Sequence, residues 1–190
     1  MSGGVVILLI VVALVVVIAL VLVGIYNGLV RRRLRVDEAW AQIDVQLKRR
    51  HDLIPNLVNA VRDVMGFEQD VLTRVTEARA NAVSTGAQGP AQAAQAEGQL
   101  TQALRSLFAV VENYPDLKSN QNVLNLQEQL TTTENQIAFS RQHYNGTVRD
   151  YNTGIATFPN AMLAEMFGFG PREFFEAEEG AREVPTVSLR

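Results

Sequence analysis

Cysteine is absent from the 190 residues, which excludes disulfide frameworks, thiol nucleophiles and cysteine-ligated zinc. Histidine occurs only as His51 and His143. Lys48 and Ser140 stand three residues before them, so the Glu-x-x-His pairs of di-iron bundles are missing. Nor is there a Gly-x-x-x-x-Gly-Lys phosphate loop, a His-Glu-x-x-His pair or a Gly-x-Ser-x-Gly elbow. Gly168-x-Gly170 lacks its third glycine, since Glu173 stands there. An excess of positive charge is missing too: 17 basic residues face 20 acidic ones, for a formal net charge of −3. That balance argues against a protein that coats nucleic acid. No catalytic, cofactor or metal motif is found in what remains; an enzymatic reading would need a cleft lined by Glu134, Arg141, His143 and Tyr144, and the two histidines read more simply as polar groups hydrogen-bonded on a helical bundle. The expectation is a non-enzymatic chain without cofactors.

Charge is also missing locally. The first 30 residues hold no Asp, Glu, Lys or Arg, and Val5 to Val23 is an unbroken apolar run extending to Tyr26. A helix of about 20 such residues spans the ~30 Å hydrocarbon layer. A cleaved signal peptide would need a basic start, a shorter apolar core and a small-residue cleavage site. Met1-Ser2-Gly3-Gly4 is uncharged and the run ends at Tyr26-Asn27-Gly28, so the segment reads as an uncleaved transmembrane anchor. Arg31, Arg32, Arg33 and Arg35 follow, and the positive-inside bias places that flank in the cytoplasm and the N-terminus outside. The same arginines are candidate contacts for anionic lipid headgroups, at about 1 kcal/mol each. Setting topology alone explains them equally well. Gly24-x-x-x-Gly28 fits a close-packing pair but is a short motif at the membrane edge.

Beyond the anchor the periodicity is helical. Val36, Trp40, Ile43, Leu47, Ile54, Leu57, Val61, Val64, Val71, Val75, Ala78 and Ala82 follow a 4-3-4-3 spacing that only Arg50 and Glu68 break. Pro55 interrupts this stretch, yet the register passes it unshifted, which favours a kink over a chain reversal. Ser84 to Pro90 is the clearest turn. A second helix reaches about Asn113 on a stripe of Ala93, Ala96, Leu100, Ala103, Leu107, Val110 and Tyr114, and its Ala/Gln-rich first half with Gly98 also fits a frayed stretch. Tyr114-Pro115 ends it. A third runs to about Phe158, with Val123, Leu130, Ile137, Tyr144, Tyr151 and Phe158 seven residues apart. Ala161 to Phe167 reads as a short helix, and Phe174 and Phe175 as anchors for the end of the bundle.

The polar residues inside these stripes carry more information. A lone buried charge is costly, so Arg50, Glu68, Glu134 and Arg141 should pair or reach water. In an up-down-up arrangement the first and third long helices run parallel, bringing Arg50 to Glu134 and Glu68 to Arg141. A register-fixing ion pair is the simpler reading and a buried proton or ligand site the sharper one. Tyr144-Asn145 and Tyr151-Asn152 repeat a heptad apart. Buried tyrosines with satisfied hydroxyls account for one row, and the asparagine row is a candidate surface for a partner helix.

Glu38-Ala-Trp-Ala-Gln-Ile-Asp-Val-Gln-Leu-Lys-Arg-Arg-His-Asp-Leu-Ile-Pro-Asn-Leu-Val58, following Tyr26-Asn-Gly-Leu-Val30, closely resembles the LemA family. The resemblance continues at Glu112 to Lys118, Glu134 to Ala138, Arg141 to Asn145, Tyr151-Asn152 and Phe158-Pro159. It implies a bacterial single-pass membrane protein with a helical-bundle domain and no established enzymatic activity. A magnetosome-associated relative hints at organising membranes. Family genes near HtpX-like membrane proteases hint at envelope quality control.

The expected layout is therefore all-α. Residues 5–26 form a transmembrane helix and 27–35 a basic juxtamembrane segment. Residues 36–175 form an antiparallel bundle of three long helices plus a short C-terminal one, and 176–190 an acidic tail without fixed structure. The expected function is a membrane-anchored scaffold in the bacterial cytoplasmic membrane. Its partners would be membrane lipids and further copies of itself, and the domain would be cytoplasmic. The rival is an adapter for another membrane protein such as an HtpX-like protease.

Overall fold

A computed structural model describes residues 3–62 and 68–176, and over them the chain is all-α. The helices are α1 (Gly3–Arg62), α2 (Gln69–Thr85), α3 (Pro90–Val111), α4 (Pro115–Lys118), α5 (Gln121–Ala156) and α6 (Asn160–Met166), with a 3₁₀ turn at Gly86–Gln88. The expected fold class is the observed one. Val64 and Met65 of the first stripe, and the tail after Glu176, lie outside the described residues.

The helix ends follow from local chemistry. Tyr114 is extended before Pro115, as a residue preceding proline prefers to be. The Asn120 carboxamide oxygen then caps the first turn of α5, accepting from the Asn122 and Val123 amides at 2.9 and 3.3 Å. Pro90 opens α3, and the Ala/Gln-rich stretch that follows is continuous helix through Gly98. The Phe158–Pro159 bond is cis. At the end of α6, Gly168 takes a φ of +69°, while the Phe169 amide reaches back to the Ala164 carbonyl at 2.8 Å. This is a Schellman stop, which requires a left-handed residue and so a glycine.

The stretch expected to be one kinked helix from Val36 to Ser84 is two. Pro55 lies inside α1 without ending it, so the expected preference for continuity at that residue holds. α2 nevertheless lies back against α1 instead of continuing it. The Arg79 guanidinium donates from Nε to the His51 carbonyl at 2.7 Å, a contact 28 residues apart in sequence. In one straight helix those residues would stand about 42 Å apart at 1.5 Å per residue. The extra reversal changes the direction of the later long helices. Gln46 shares a shallow hollow with Asn135 and Phe139, whereas Arg50 shares one with Leu130 and Glu134. α5 is therefore antiparallel to α1, not parallel as an up-down-up count requires.

The chain divides into two units, Met1–Trp40 with Gly146–Arg172, and Ala41–Asn145 with Glu173–Arg190. Helices α1 and α5 each contribute to both. The second unit holds the main core, in which Ile54, Leu57 and Val61 meet Val71 and Val75 of α2, Leu100 and Leu107 of α3, and Val123 and Leu130 of α5. The most buried stripe of α3 is Ala93, Ala96, Leu100, Leu104, Leu107 and Val111, with the expected Ala103 and Val110 partly buried against the same core. In the first unit, Leu29, Val36 and Ala39 are buried on α1, together with Val148 and Tyr151 of α5, Leu163 of α6, and Phe169. Gly154 of α5 faces the Arg32 side chain of α1. A Cβ on it would come within 3.0 Å of the Arg32 guanidinium.

Candidate functional site

In the second unit a charged cluster crosses three helices. Arg50, only 3% exposed, directs Nη1 to Glu97 Oε2 at 3.1 Å and Glu134 Oε2 at 3.2 Å. Its Nη2 donates to the Thr101 hydroxyl at 2.7 Å. The second oxygen of Glu97 meets His51 Nε2 at 2.6 Å, and the Thr101 hydroxyl donates to the Glu97 carbonyl at 3.0 Å. Both carboxylate oxygens of Glu97 are thereby engaged, which a buried carboxylate requires. A cleft of about 190 Å³ opens beside the cluster, lined among others by Arg50, Thr101, Arg105, Phe108 and Glu134. Arg50 and Glu134, singled out from sequence, do meet.

Glu97 and His51 were not expected there. A signal existed: Ala93, Glu97, Leu100, Leu104, Leu107 and Val111 form a 4-3-4-3-4 stripe in which Glu97 is the single charge. Following the Ala93-Ala96-Leu100-Ala103 register instead hid it.

The other expected pair does not form. Glu68 lies at the N-terminus of α2, where its carbonyl accepts from the Val71 amide at 3.1 Å, and Arg141 is exposed on α5. Among the described residues they share no ion pair. The reversal after Arg62 is the reason, because it removes the shared height a continuous first helix would have provided. His143 is exposed.

The two Tyr-Asn repeats hold the chain's own C-terminal segment instead of standing free for a partner. In the second unit the Tyr144 hydroxyl donates to the Glu173 carbonyl at 2.9 Å. Asn145 Oδ1 accepts from the Phe175 amide at 2.9 Å, while its Nδ2 donates to the Phe175 carbonyl at 3.3 Å. In the first unit Tyr151 donates to the Gly170 carbonyl at 3.0 Å, and Asn152 pairs with both backbone groups of Arg172 at 2.9 Å each. A primary carboxamide presents a donor and an acceptor side by side, and so mimics the edge of a neighbouring strand. Each repeat uses a tyrosine for one carbonyl and the next asparagine for the residue two further on. The offset is seven residues on the helix and three on the strap, about 10.5 Å and about 10 Å respectively. Phe175 is buried, as expected of an anchor; Phe174 is half-buried. Burial pushes the Tyr151 phenol upward from its usual value, with Asp37 adding to this and Arg172 and Arg33 opposing it.

The basic flank divides as well. Arg32 is half-buried and donates from Nη1 to the Asp150 carbonyl at 3.0 Å, across Gly154. Arg31, Arg33 and Arg35 are exposed on α1. The apolar part of α1 is long and apolar enough to cross a membrane, and none of it is buried within the chain.

A family model described as "LemA family" matches residues 39–189. The chain belongs to the LemA family. It is 26% identical over 187 residues to magnetosome protein MamQ 2 of Paramagnetospirillum magneticum, covering 86% of this chain and 68% of that protein. It is 25% identical over 173 residues to protein LemA of Metamycoplasma hominis, covering 90% and 78%. The Arg50 cluster and the Tyr144-Asn145 and Tyr151-Asn152 clamps all fall inside the part of the chain that the LemA family model matches.

Proposed function

We propose that this LemA-family chain is a membrane-anchored, non-enzymatic helical scaffold of the bacterial cell envelope that works by associating with copies of itself. Phe139 carries the reading. It stands on α5 with 74% of its surface exposed, on a shelf with Thr132, Asn135, Gln136 and Ser140 that holds no charged residue. Gln46 borders the same shelf, and its Oε1 is buried without a hydrogen-bond partner among the described residues. An exposed aromatic ringed by uncharged hydrogen-bonding groups is the composition of a protein contact, with a hydrophobic anchor and a polar surround. Anchoring adds to this. Confining the chain to a bilayer raises its effective concentration, so contacts too weak to assemble it in solution suffice in two dimensions. The exposed Arg31, Arg33 and Arg35 beyond the span support a cytoplasmic position for the domain. Neither MamQ nor LemA is the name of an enzyme.

The test is the native mass of the full chain in mild detergent, with crosslinking in intact membranes as its control. A uniform particle of several 21.0 kDa chains that Phe139→Arg reduces to one chain supports the scaffold. A monomer, or a complex with one different protein, would replace it with the adapter reading.

A further inference from the structure

The first unit leaves an apolar surface that its own core does not use. Phe158, Met162, Met166 and Phe167 are 78, 67, 72 and 54% exposed, on or beside α6. Exposed side chains of that size rarely cluster on a monomer without a purpose. The surface continues into a groove of about 550 Å³ whose opposite wall is α1 at Val21, Leu22, Ile25 and Tyr26. That wall is the end of the apolar run. Tyr26 ties the two sides, its ring lying edge-on to Phe167 at 5.1 Å and to Phe169 at 5.7 Å. Residues 153–171 carry a single charged side chain, Glu165.

We propose that α6 and its flanking residues form a second, interfacial membrane contact, with Phe158, Met162, Met166 and Phe167 set among lipid acyl chains and the groove against Tyr26 filled by them. The inference rests on α1 being a membrane anchor, and adds a membrane element that the apolar run does not contain. Three observations choose lipid over other occupants. The groove is continuous with residues that themselves belong in hydrocarbon. The order along α1 is apolar run, then the Tyr26–Phe167–Phe169 aromatic cluster, then Arg31, Arg33 and Arg35, which repeats the depth order of acyl chain, interface and headgroup. Those arginines follow Tyr26 by about 8–14 Å of helix, against a polar interface of about 5–8 Å per leaflet. Finally, α6 is too short to span, and its exposed side chains are Met162 and Met166 with Glu165 as the single charge, as suits a segment lying in the interface plane.

The absence of cysteine makes the test direct. Met166→Cys, Leu14→Cys in the span and Ser84→Cys on the exposed end of α2 are each labelled with an environment-sensitive fluorophore. The full chain is then reconstituted in phosphatidylcholine/phosphatidylglycerol vesicles with and without doxyl-labelled lipid. The expected result is blue-shifted emission and strong doxyl quenching at 166, close to that at 14, with neither at 84. Quenching at 14 but not at 166 overturns the proposal and leaves the anchor standing. No quenching at either overturns both. Quenching at 166 but not at 14 removes the span and overturns the proposal as stated, since the contact is then not second to an anchor. A blue shift at 166 that resists doxyl lipid and fades on dilution into excess vesicles would assign the surface to a second copy and overturn the lipid contact.

Discussion

Arg79 donates from Nε to the carbonyl oxygen of His51 at 2.7 Å, and Pro55 is the reason that oxygen is free. In an α-helix the carbonyl of residue 51 accepts from the amide of residue 55, and proline has none. The arginine of the returning helix supplies the missing donor, so a proline is tolerated in mid-helix and the α1–α2 hairpin gains a fixed point. The two residues should be coupled. Removing Arg79 as Arg79→Met leaves a part-buried carbonyl unpaired and is expected to cost about 1–2 kcal/mol. In a Pro55→Ala background the restored amide serves that carbonyl, and the same substitution should cost less. Thermal unfolding of the four proteins closes the cycle, with 1 kcal/mol corresponding to about 2–4 °C at this size. Strict additivity would show that Arg79 does not compensate for Pro55.

The Arg50 cluster makes a graded prediction. Glu97 is buried and holds both Arg50 and His51, whereas the Glu134 side chain is nearly half exposed. Losing one partner of a buried pair costs about 3–5 kcal/mol, and an exposed pair about 0–1 kcal/mol. Glu97→Leu should therefore lower the melting temperature far more than Glu134→Gln. Replacing both charges, as Arg50→Met with Glu97→Leu, should recover much of the loss because no buried charge is then stranded. A double variant as unstable as the Glu97→Leu single would mean that the cluster contributes more than charge pairing.

What the sequence made legible was everything carried by periodicity and punctuation: the apolar run, the turn ending at Pro90, the end of the second long helix before Pro115, and the heptad from Val123 to Tyr151. The reversal after Arg62 was hidden because its two arms share one register. Val61 and Val71 are ten residues apart, which fits a continuous 4-3-4-3 stripe as well as it fits two helices folded together. Everything depending on that reversal was lost with it, including the direction of α5 and the partner of Glu68. Arg50 was legible as a charge in an apolar stripe. Glu97 was equally legible, but only in the register that α3 adopts. The Tyr-Asn repeat was visible as a repeat, yet its partner is backbone, and backbone leaves no residue-type signal. Phe158 continued the heptad perfectly and is exposed all the same, because α5 ends at Ala156.

The clamp at Asn145 predicts a local effect distinct from a global one. The Asn145 carboxamide bonds both backbone groups of Phe175. Asn145→Leu removes both of these bonds, at about 0.5–1.5 kcal/mol each. Amide exchange at Phe175 should speed up by more than at core amides such as Val75. Asn145→Asp separates the two bonds, since a carboxylate accepts from the Phe175 amide but donates nothing to its carbonyl. Protection at Phe175 should therefore fall less in Asn145→Asp than in Asn145→Leu. Equal loss in both would mean that burial of the Phe175 ring, not the carboxamide, holds the segment.

Tyr151 predicts the alkaline limit of the first unit. Its phenol is buried and donates to the Gly170 carbonyl, so ionisation would strand a phenolate against a carbonyl oxygen, and its pKa is raised. A group whose folded pKa lies above its unfolded value of about 10 contributes stability in full below that pH. The contribution declines as pH rises from there and is gone above the folded pKa. Ultraviolet titration should show a late-ionising phenol component that Tyr151→Phe diminishes. Below pH 9 the same substitution should cost about 1 kcal/mol for the lost hydrogen bond. The difference between the two proteins should shrink as the solution becomes more alkaline, because the wild-type hydroxyl then loses the proton it donates. A late component undiminished in Tyr151→Phe would separate the stability of this clamp from the charge on its phenol.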